Sequence, residues 1–149
     1  MFGAHLALSS AVSPPQSPSV LIVEDEQCIR DVLVELFDVH GTEVRAAGTL
    51  ELAKVVLATR AFDLIVTDIR LGGRRDGGLQ VMAAAGVLSP EAVVIALTAY
   101  PDEHNRHASL RLGATHFLEK PIALERIAEL AATAGVSSAF SHGRSLVTG

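Results

Sequence analysis

The chain has 149 residues, of which 49% are hydrophobic and 19% are charged, and its formal net charge at pH 7 is −5. A chain of this length is most simply one domain, which can bury a core without a structural metal or a disulfide. Its single cysteine, Cys28, excludes an internal disulfide and favours a reducing, cytoplasmic compartment, while the acidic balance argues against nucleic acid or an anionic membrane as a partner.

Charged residues are unevenly distributed along the chain, and this distribution predicts the domain boundaries. Residues 1–19 contain no Asp, Glu, Lys or Arg but include three prolines, so we expect a disordered arm. The arm lacks the basic start and clean apolar stretch of a secretory signal, so export is not expected. The segment 135–149 is rich in serine and glycine and is predicted to be a flexible tail. The predicted folded domain is therefore 20–134.

Short apolar segments rich in β-branched residues predict strands that are buried on both faces of a parallel sheet. Three such segments are 20–23, 64–66 and 93–97. Two weaker candidates are 115–118 and 42–46, and the alternating polarity of the second favours an edge position. No apolar run approaches the length that a membrane helix needs.

Segments with helical periodicity lie between the predicted strands. Their predicted extents are 29–37, 50–57 with Thr49 as N-cap, a short helix at 81–87, 101–112 and 122–132. Cys28, on the first helix, is predicted to be a buried small hydrophobic residue. Five βα units with short connections predict an α/β fold with a doubly wound, five-stranded parallel sheet, because each parallel crossover is right-handed and needs a covering helix.

Polar side chains follow four of the predicted strands, at the edge of the sheet where such folds bind ligands. They are Glu24 and Asp25 after the first strand, Asp68 after the third, Thr98 after the fourth and Lys120 after the fifth. Three carboxylates held close together repel each other unless they share a cation, and all-oxygen ligands suit Mg²⁺. Lys120 and the Thr98 hydroxyl can then hold a phosphoryl group, with Asp68 as the nucleophile that forms an aspartyl phosphate.

The residues at these strand ends resemble the receiver domains of two-component response regulators, with the CheY-like fold, over 20–132. The matching stretches are 20–26, 63–68, 97–99 and 113–121, and the spacing between them also agrees with the family. Four such stretches in the right order are much more specific than any one of them.

The resemblance implies a phosphoacceptor and a metal site. Asp68 is implied as the phosphoacceptor. Glu24 and Asp25 are implied as the acidic pair that binds Mg²⁺ together with Asp68, and the backbone carbonyl of Arg70 is implied as a further ligand. Glu24 stands where the family more often has Asp, so the affinity for the metal is expected to differ.

The resemblance also implies a switch. Thr98 is implied as the hydroxyl that moves toward the phosphoryl group, Phe117 as the aromatic side chain that follows it, and Lys120 as the lysine that contacts the phosphate. The loop 71–78 departs from the family pattern, because it lacks a proline and is one residue longer. Its glycines and arginines predict a flexible, cationic loop.

The sequence therefore predicts a stand-alone response regulator that is phosphorylated on Asp68 with Mg²⁺, a monomer or weak dimer. Few residues follow Ala132, so output is expected through protein–protein contact on the face formed by the fourth helix, fifth strand and fifth helix. The expected donor is a histidine kinase or a phosphotransfer protein, or a small acyl phosphate. The chain is not expected to be an enzyme beyond catalysing its own phosphorylation and dephosphorylation.

Other interpretations stay open at this point. An aspartate-nucleophile phosphohydrolase also places Asp at a strand end with Mg²⁺, but it usually carries a second Asp where this chain has Arg70. A receiver-like interaction module that is not phosphorylated would follow if Glu24 or the altered loop abolished metal binding. The chain is also compatible with one domain of a longer protein.

Overall fold

The computed structural model describes residues 17–141, so most of the predicted arm and the segment 142–149 lie outside the described residues. Five strands alternate with five helices in this range. The strands are β1 Ser19–Val23, β2 Glu43–Ala47, β3 Leu64–Asp68, β4 Val93–Thr98 and β5 His116–Glu119. The helices are α1 Gln27–Phe37, α2 Leu50–Leu57, α3 Gly77–Leu88, α4 Glu103–Arg111 and α5 Leu124–Ala132.

The strands form one parallel sheet in the order β2-β1-β3-β4-β5, which confirms the predicted doubly wound α/β fold. The direction of strand addition reverses between β1 and β3, and ligands bind at such a point, beyond the C-terminal ends of the strands. Val23 pairs with Thr67, so the next residues, Glu24 and Asp68, lie side by side at this edge.

Two hydrophobic clusters cover the two faces of the sheet. On one face Leu21, Val23 and Ile65 pack against residues of α2 and α3. On the other face Val20 and Ile22 pack against residues of α1 and α5. Alternate residues of each central strand thus enter different clusters, which explains why these strands are continuously apolar. None of the helices within residues 17–141 is both long and apolar enough to cross a membrane.

Helix α3 differs from its prediction, because it begins at Gly77 rather than at Val81 and is not short. Glycine disfavours helix, but a tertiary contact determines the start here. The Gly78 N–H donates to the Ile69 carbonyl at 2.7 Å, and a Cβ at position 78 would lie 2.0 Å from the Asp68 carbonyl oxygen. The first turn of α3 therefore lies against the end of β3, where only glycine fits.

The burial of residues near both predicted domain boundaries also differs from the sequence analysis. Ser19 is fully buried at the start of β1, where its N–H donates to Asp63. Val136 and Ser138 are buried as well, and Val136 belongs to the cluster with α1 and α5, so packing continues past residue 134. The prediction that Cys28 is buried is wrong, since its side chain is exposed on α1.

Replacing Gly78 by alanine tests the close contact between α3 and β3. We expect Gly78→Ala to destabilise the fold by about 3 kcal/mol, because the added methyl group overlaps main-chain atoms that cannot move cheaply. The matched control is Gly86→Ala in the same helix, where a Cβ meets open space and alanine should stabilise by about 1 kcal/mol. Denaturant unfolding followed by circular dichroism measures both, and equal stability of the two variants would contradict the packing described.

Candidate functional site

The polar residues that follow the strands lie together at one edge of the sheet. Lys120 Nζ is 2.9 Å from Glu24 Oε1 and 2.9 Å from Asp68 Oδ2, so one ammonium group joins two carboxylates. Glu24 is fully buried and Asp68 is 6% exposed. Because the surroundings exclude most water, these charge-assisted contacts are stronger than surface ion pairs.

The ends of the strands and their main-chain hydrogen bonds position these side chains. The Glu24 N–H donates to the Ala47 carbonyl at 3.1 Å, which extends the pairing of β1 with β2 by one residue. Asp68 is the last residue of β3. The Lys120 N–H donates to the Thr98 carbonyl at 2.7 Å, so the residue after β5 is held against the end of β4. The Lys120–Pro121 peptide bond is cis.

Burial and ion pairing oppose each other at Glu24 and Lys120. Burial raises the pKa of the Glu24 carboxyl, and the hydrogen bonds from Lys120 and from the Glu26 N–H offset only part of this effect. Burial would lower the pKa of Lys120, but the hydrogen bonds to Asp68 and Glu24 outweigh it, so the pKa is raised. Lys120 therefore stays charged at neutral pH. Its positive charge lowers the cost of ionising Glu24 in this buried position.

Glu24, Asp25 and Asp68 form a cluster with the donor chemistry of a hard cation. Each offers a carboxylate oxygen, and these oxygens lie within 4.8 Å of one another. When ionised, the three carboxylates and the one ammonium of Lys120 leave two negative charges uncompensated, which suits a divalent cation. Oxygen ligands from a few carboxylates, with one of them exposed to water, fit Mg²⁺.

Thr98 belongs to a second group of contacts beside the acidic cluster. Its hydroxyl oxygen accepts a hydrogen bond from the Tyr100 N–H at 2.9 Å, and the residue is 3% exposed. The Tyr100 ring lies 4.3 Å from the guanidinium of Arg70, and the Arg70 N–H donates to Asp68 Oδ1 at 3.4 Å. Arg70, Thr98 and Tyr100 line one cavity of about 260 Å³. The loops after β3 and β4 are thus in contact next to Asp68.

Phe117 lies within β5, before the C-terminal ends of the strands where the acidic cluster is found. It pairs with Ala96 on β4, two residues before Thr98, and its ring is half-buried against the cluster formed with α2 and α3. The structure therefore places Phe117 on the strand next to that of Thr98.

The loop after Asp68 is more regular than the sequence suggested. The N–H of Leu71 donates to the carbonyl of Arg74 at 3.0 Å, and the N–H of Arg74 returns a bond to Leu71 at 2.9 Å. The intervening Gly72 and Gly73 have φ values of 54° and 82°, which two-residue reverse turns of this kind require. The first four residues of this loop therefore form a hydrogen-bonded turn, and Arg74 is exposed as expected.

Sequence reasoning missed three residues that contact the site. The Gly72 N–H donates to Asp25 Oδ2 at 2.9 Å, Tyr100 contacts both Thr98 and Arg70, and Arg30 donates to the carbonyl of Glu24 at 2.9 Å. Two of these contacts use main-chain N–H groups, which every residue type except proline has. Of the three residues, only Tyr100 could have been recognised in the sequence, because its aromatic side chain lies two residues after Thr98.

Comparison with known families assigns the chain to a class. Residues 20–132 match the model of the response regulator receiver domain, so the chain belongs to this family. Its fold and the carboxylates at the strand ends agree with that assignment. The protein is thus a receiver domain homologous to the response regulators of two-component systems.

Curated relatives are longer than this chain. It is 37% identical over 115 residues to the response regulator protein PilR of Pseudomonas aeruginosa, which covers 76% of this chain and 25% of PilR. It is 30% identical over 102 residues to the regulatory protein VirG of Agrobacterium fabrum, which covers 68% of this chain and 40% of VirG. The similarity therefore concerns the receiver portion of those proteins.

Solved structures of similar fold include one with a modified aspartate. A response regulator from Burkholderia pseudomallei, with a phosphorylated aspartic acid, a calcium ion and citrate, superimposes with a TM-score of 0.69 at 28% identity, covering 79% of this chain and 69% of that one. A CheY-like receiver domain from Methanospirillum hungatei gives a TM-score of 0.71 at 27% identity, covering 78% and 91%.

Removing Lys120 should expose the cost of burying Glu24. We expect Lys120→Met to destabilise the fold at pH 7 by about 3 kcal/mol, because two buried carboxylates lose their shared cation. Burial then raises the pKa of Glu24 with less opposition. The folded state therefore binds its proton more tightly than the unfolded state, and stability falls as pH rises.

The difference in unfolding free energy between the wild type and Lys120→Met should therefore become smaller when the pH is lowered from 7 to 5. Urea unfolding at several pH values measures it. Lys54→Met is the control, because Lys54 is the other lysine of the chain and is exposed on α2. If the loss of unfolding free energy in Lys120→Met did not change with pH, or if Lys54→Met lost the same amount, Lys120 would not be compensating a buried carboxylate.

Proposed function

We propose that Asp68 accepts a phosphoryl group in a Mg²⁺-dependent reaction and that the protein transmits this signal by protein–protein contact. The observation that carries the proposal is that Asp68, Glu24, Asp25 and Lys120 lie together in one cluster at the edge of the sheet. It combines a nucleophilic carboxylate, donors for a divalent cation and a fixed ammonium group, which are the components of a phosphoryl-transfer site.

In the proposed reaction an oxygen of Asp68 attacks the phosphorus of the donor. The bond from phosphorus to the leaving group breaks, and the leaving group keeps the electron pair. Mg²⁺ would be held by the carboxylates of Glu24, Asp25 and Asp68 with the carbonyl of Arg70, and it would neutralise phosphoryl charge. Lys120 is already 2.9 Å from Asp68 and can contact an oxygen of the bound phosphoryl group.

Phosphorylation would change the surface through Thr98. Its hydroxyl oxygen now accepts from the Tyr100 N–H, and a turn toward the phosphoryl group would break that bond. Phe117 would follow, as the family resemblance implies. Helix α4 buries only Ser109, so it contributes little to the core and can shift at low cost. These features favour the face of α4, β5 and α5 as the output surface.

The proposal extends to partners. Receiver domains interact with histidine kinases and with output domains, and the donor here would be a histidine kinase or a phosphotransfer protein in the cytoplasm. The protein would be a monomer or a weak dimer, and the only catalysis expected is of its own phosphorylation and dephosphorylation. Because the chain spans about a quarter to just over half of its curated relatives, these statements concern the receiver domain alone.

Intact-mass measurement tests the phosphoacceptor. With Mg²⁺ and a small acyl phosphate, the wild type should gain about 80 Da, the mass of one phosphoryl group, and Asp68→Asn should gain none because an amide is a poor nucleophile. Asp76→Asn, an exposed carboxylate of the same loop, is the control that should still be modified.

The two other classes of protein predict different results. No adduct with the acyl phosphate or with a phosphorylated kinase would overturn the proposal in favour of an interaction module. Repeated turnover of phosphate esters would favour a hydrolase. An adduct of equal size in Asp68→Asn would place the modification on another residue.

The single tyrosine offers a test of the switch, because the chain has no tryptophan to obscure its fluorescence. Phosphorylation of the wild type should change the Tyr100 emission, since the Thr98 bond to the Tyr100 N–H is lost. Thr98→Val keeps the shape of the side chain but lacks the hydroxyl, so the mass adduct should form with most of the fluorescence change gone. An undiminished change in Thr98→Val would contradict a role for Thr98 in the switch.

A further inference from the structure

Arg30 joins α1 to the loop that carries the acidic pair. Its Nη1 atom donates to the carbonyl oxygen of Glu24 at 2.9 Å and contacts that of Asp25 at 3.4 Å. A guanidinium beside acidic residues commonly pairs with a carboxylate. Among the ion pairs found in residues 17–141, none involves Arg30, so Arg30 itself pairs with no carboxylate of the cluster.

Gly48, in the loop after β2, provides the space for this guanidinium. A Cβ at position 48 would lie 2.9 Å from Arg30 Nη1 and 3.9 Å from the Glu24 carbonyl oxygen. Gly48 is not among the glycines with positive φ, so the backbone itself does not require glycine there. Glycine is explained at position 48 because a larger residue would occupy the space of the Arg30 guanidinium.

The main chain of Glu24 is therefore held on both sides. Its N–H donates to Ala47, directly before Gly48, and its carbonyl accepts from Arg30. Asp25 is exposed, and its backbone carbonyl is within reach of the same guanidinium. Contacts to these two carbonyl groups fix the main-chain positions from which the Glu24 and Asp25 side chains extend. They do so without neutralising either carboxylate.

We propose that Arg30 is a positioning residue that sets the Mg²⁺ affinity of the acidic cluster by fixing the main chain of Glu24 and Asp25. The inference rests on the proposed function, because it deepens the account of the same site. Residues that orient the ligands of a metal typically change its affinity by about 10–100-fold when they are removed.

Charge alone predicts the opposite sign. Removing a positive group near a cation site lowers the repulsion and should strengthen Mg²⁺ binding. Positioning predicts weaker binding, because the carboxylates lose their arrangement. The direction of the change in Arg30→Met therefore separates the two effects.

The experiment is a Mg²⁺ titration of the full chain, followed by amide chemical shifts. Arg30→Met should raise the Kd for Mg²⁺ about tenfold, and Arg30→Lys, which keeps the charge but not the planar group, should fall between it and the wild type. Arg126→Met, which removes an exposed arginine on α5, is the control and should leave the Kd unchanged within about twofold.

Gly48→Ala displaces the guanidinium while keeping its charge. The atom in the way is the end of a flexible side chain, so the variant should unfold at a temperature close to that of the wild type. It should nonetheless weaken Mg²⁺ binding. In the Arg30→Met background the same alanine should have no further effect, because two changes acting through one contact are not additive.

Phosphorylation rates complete the test. In Arg30→Met and Gly48→Ala the rate should fall at low Mg²⁺ and recover at saturating Mg²⁺. Unchanged or tighter Mg²⁺ binding in Arg30→Met, or a loss at all Mg²⁺ concentrations together with a lower unfolding temperature, would overturn the inference. Failure of the proposed function looks different, since the wild type itself would then neither bind Mg²⁺ nor accept a phosphoryl group.

Discussion

Two carboxylates at the ends of neighbouring strands share one ammonium group, and the rest of the site depends on this arrangement. Without Lys120, an ionised Glu24 would be unfavourable in its buried position, since burial raises its pKa. Lys120 lies 2.9 Å from both Glu24 and Asp68, and Asp25 adds a third carboxylate at the surface. A divalent cation would balance the remaining negative charge, and that cation together with Lys120 would stabilise a bound phosphoryl group.

The sequence was sufficient to predict the sheet and the residues at its edge. Continuous apolar strands such as 64–66 and 93–97 predict central parallel strands, and the two-sided burial of β3 and β4 confirms it. Once the strands are parallel, the residues after them must meet at one edge, so Asp68 and Lys120 could be brought together from spacing alone. Thr49 also caps α2 as predicted, because a hydroxyl before an apolar helix satisfies an exposed N–H.

The features that could not be predicted depend on main-chain contacts between distant parts of the chain. Gly77 and Gly78 have the composition of a loop, but the close approach of α3 to Asp68 makes them the first turn of a helix. Arg30 bonds to carbonyl groups, which no residue type reveals. Val136 lies in a segment whose composition favours a tail, yet its burial depends on α1 and α5, which sequence composition does not report.

The most direct test of the account is to locate the phosphoryl group chemically. Borohydride reduces an aspartyl phosphate to an alcohol and leaves free carboxylates unchanged, so the modified residue becomes homoserine. After incubation with Mg²⁺ and an acyl phosphate, peptide sequencing by mass spectrometry should find homoserine at position 68, in amounts that fall when the metal is chelated. Homoserine at another carboxylate, or none with any donor, would contradict the assignment of Asp68 as the phosphoacceptor.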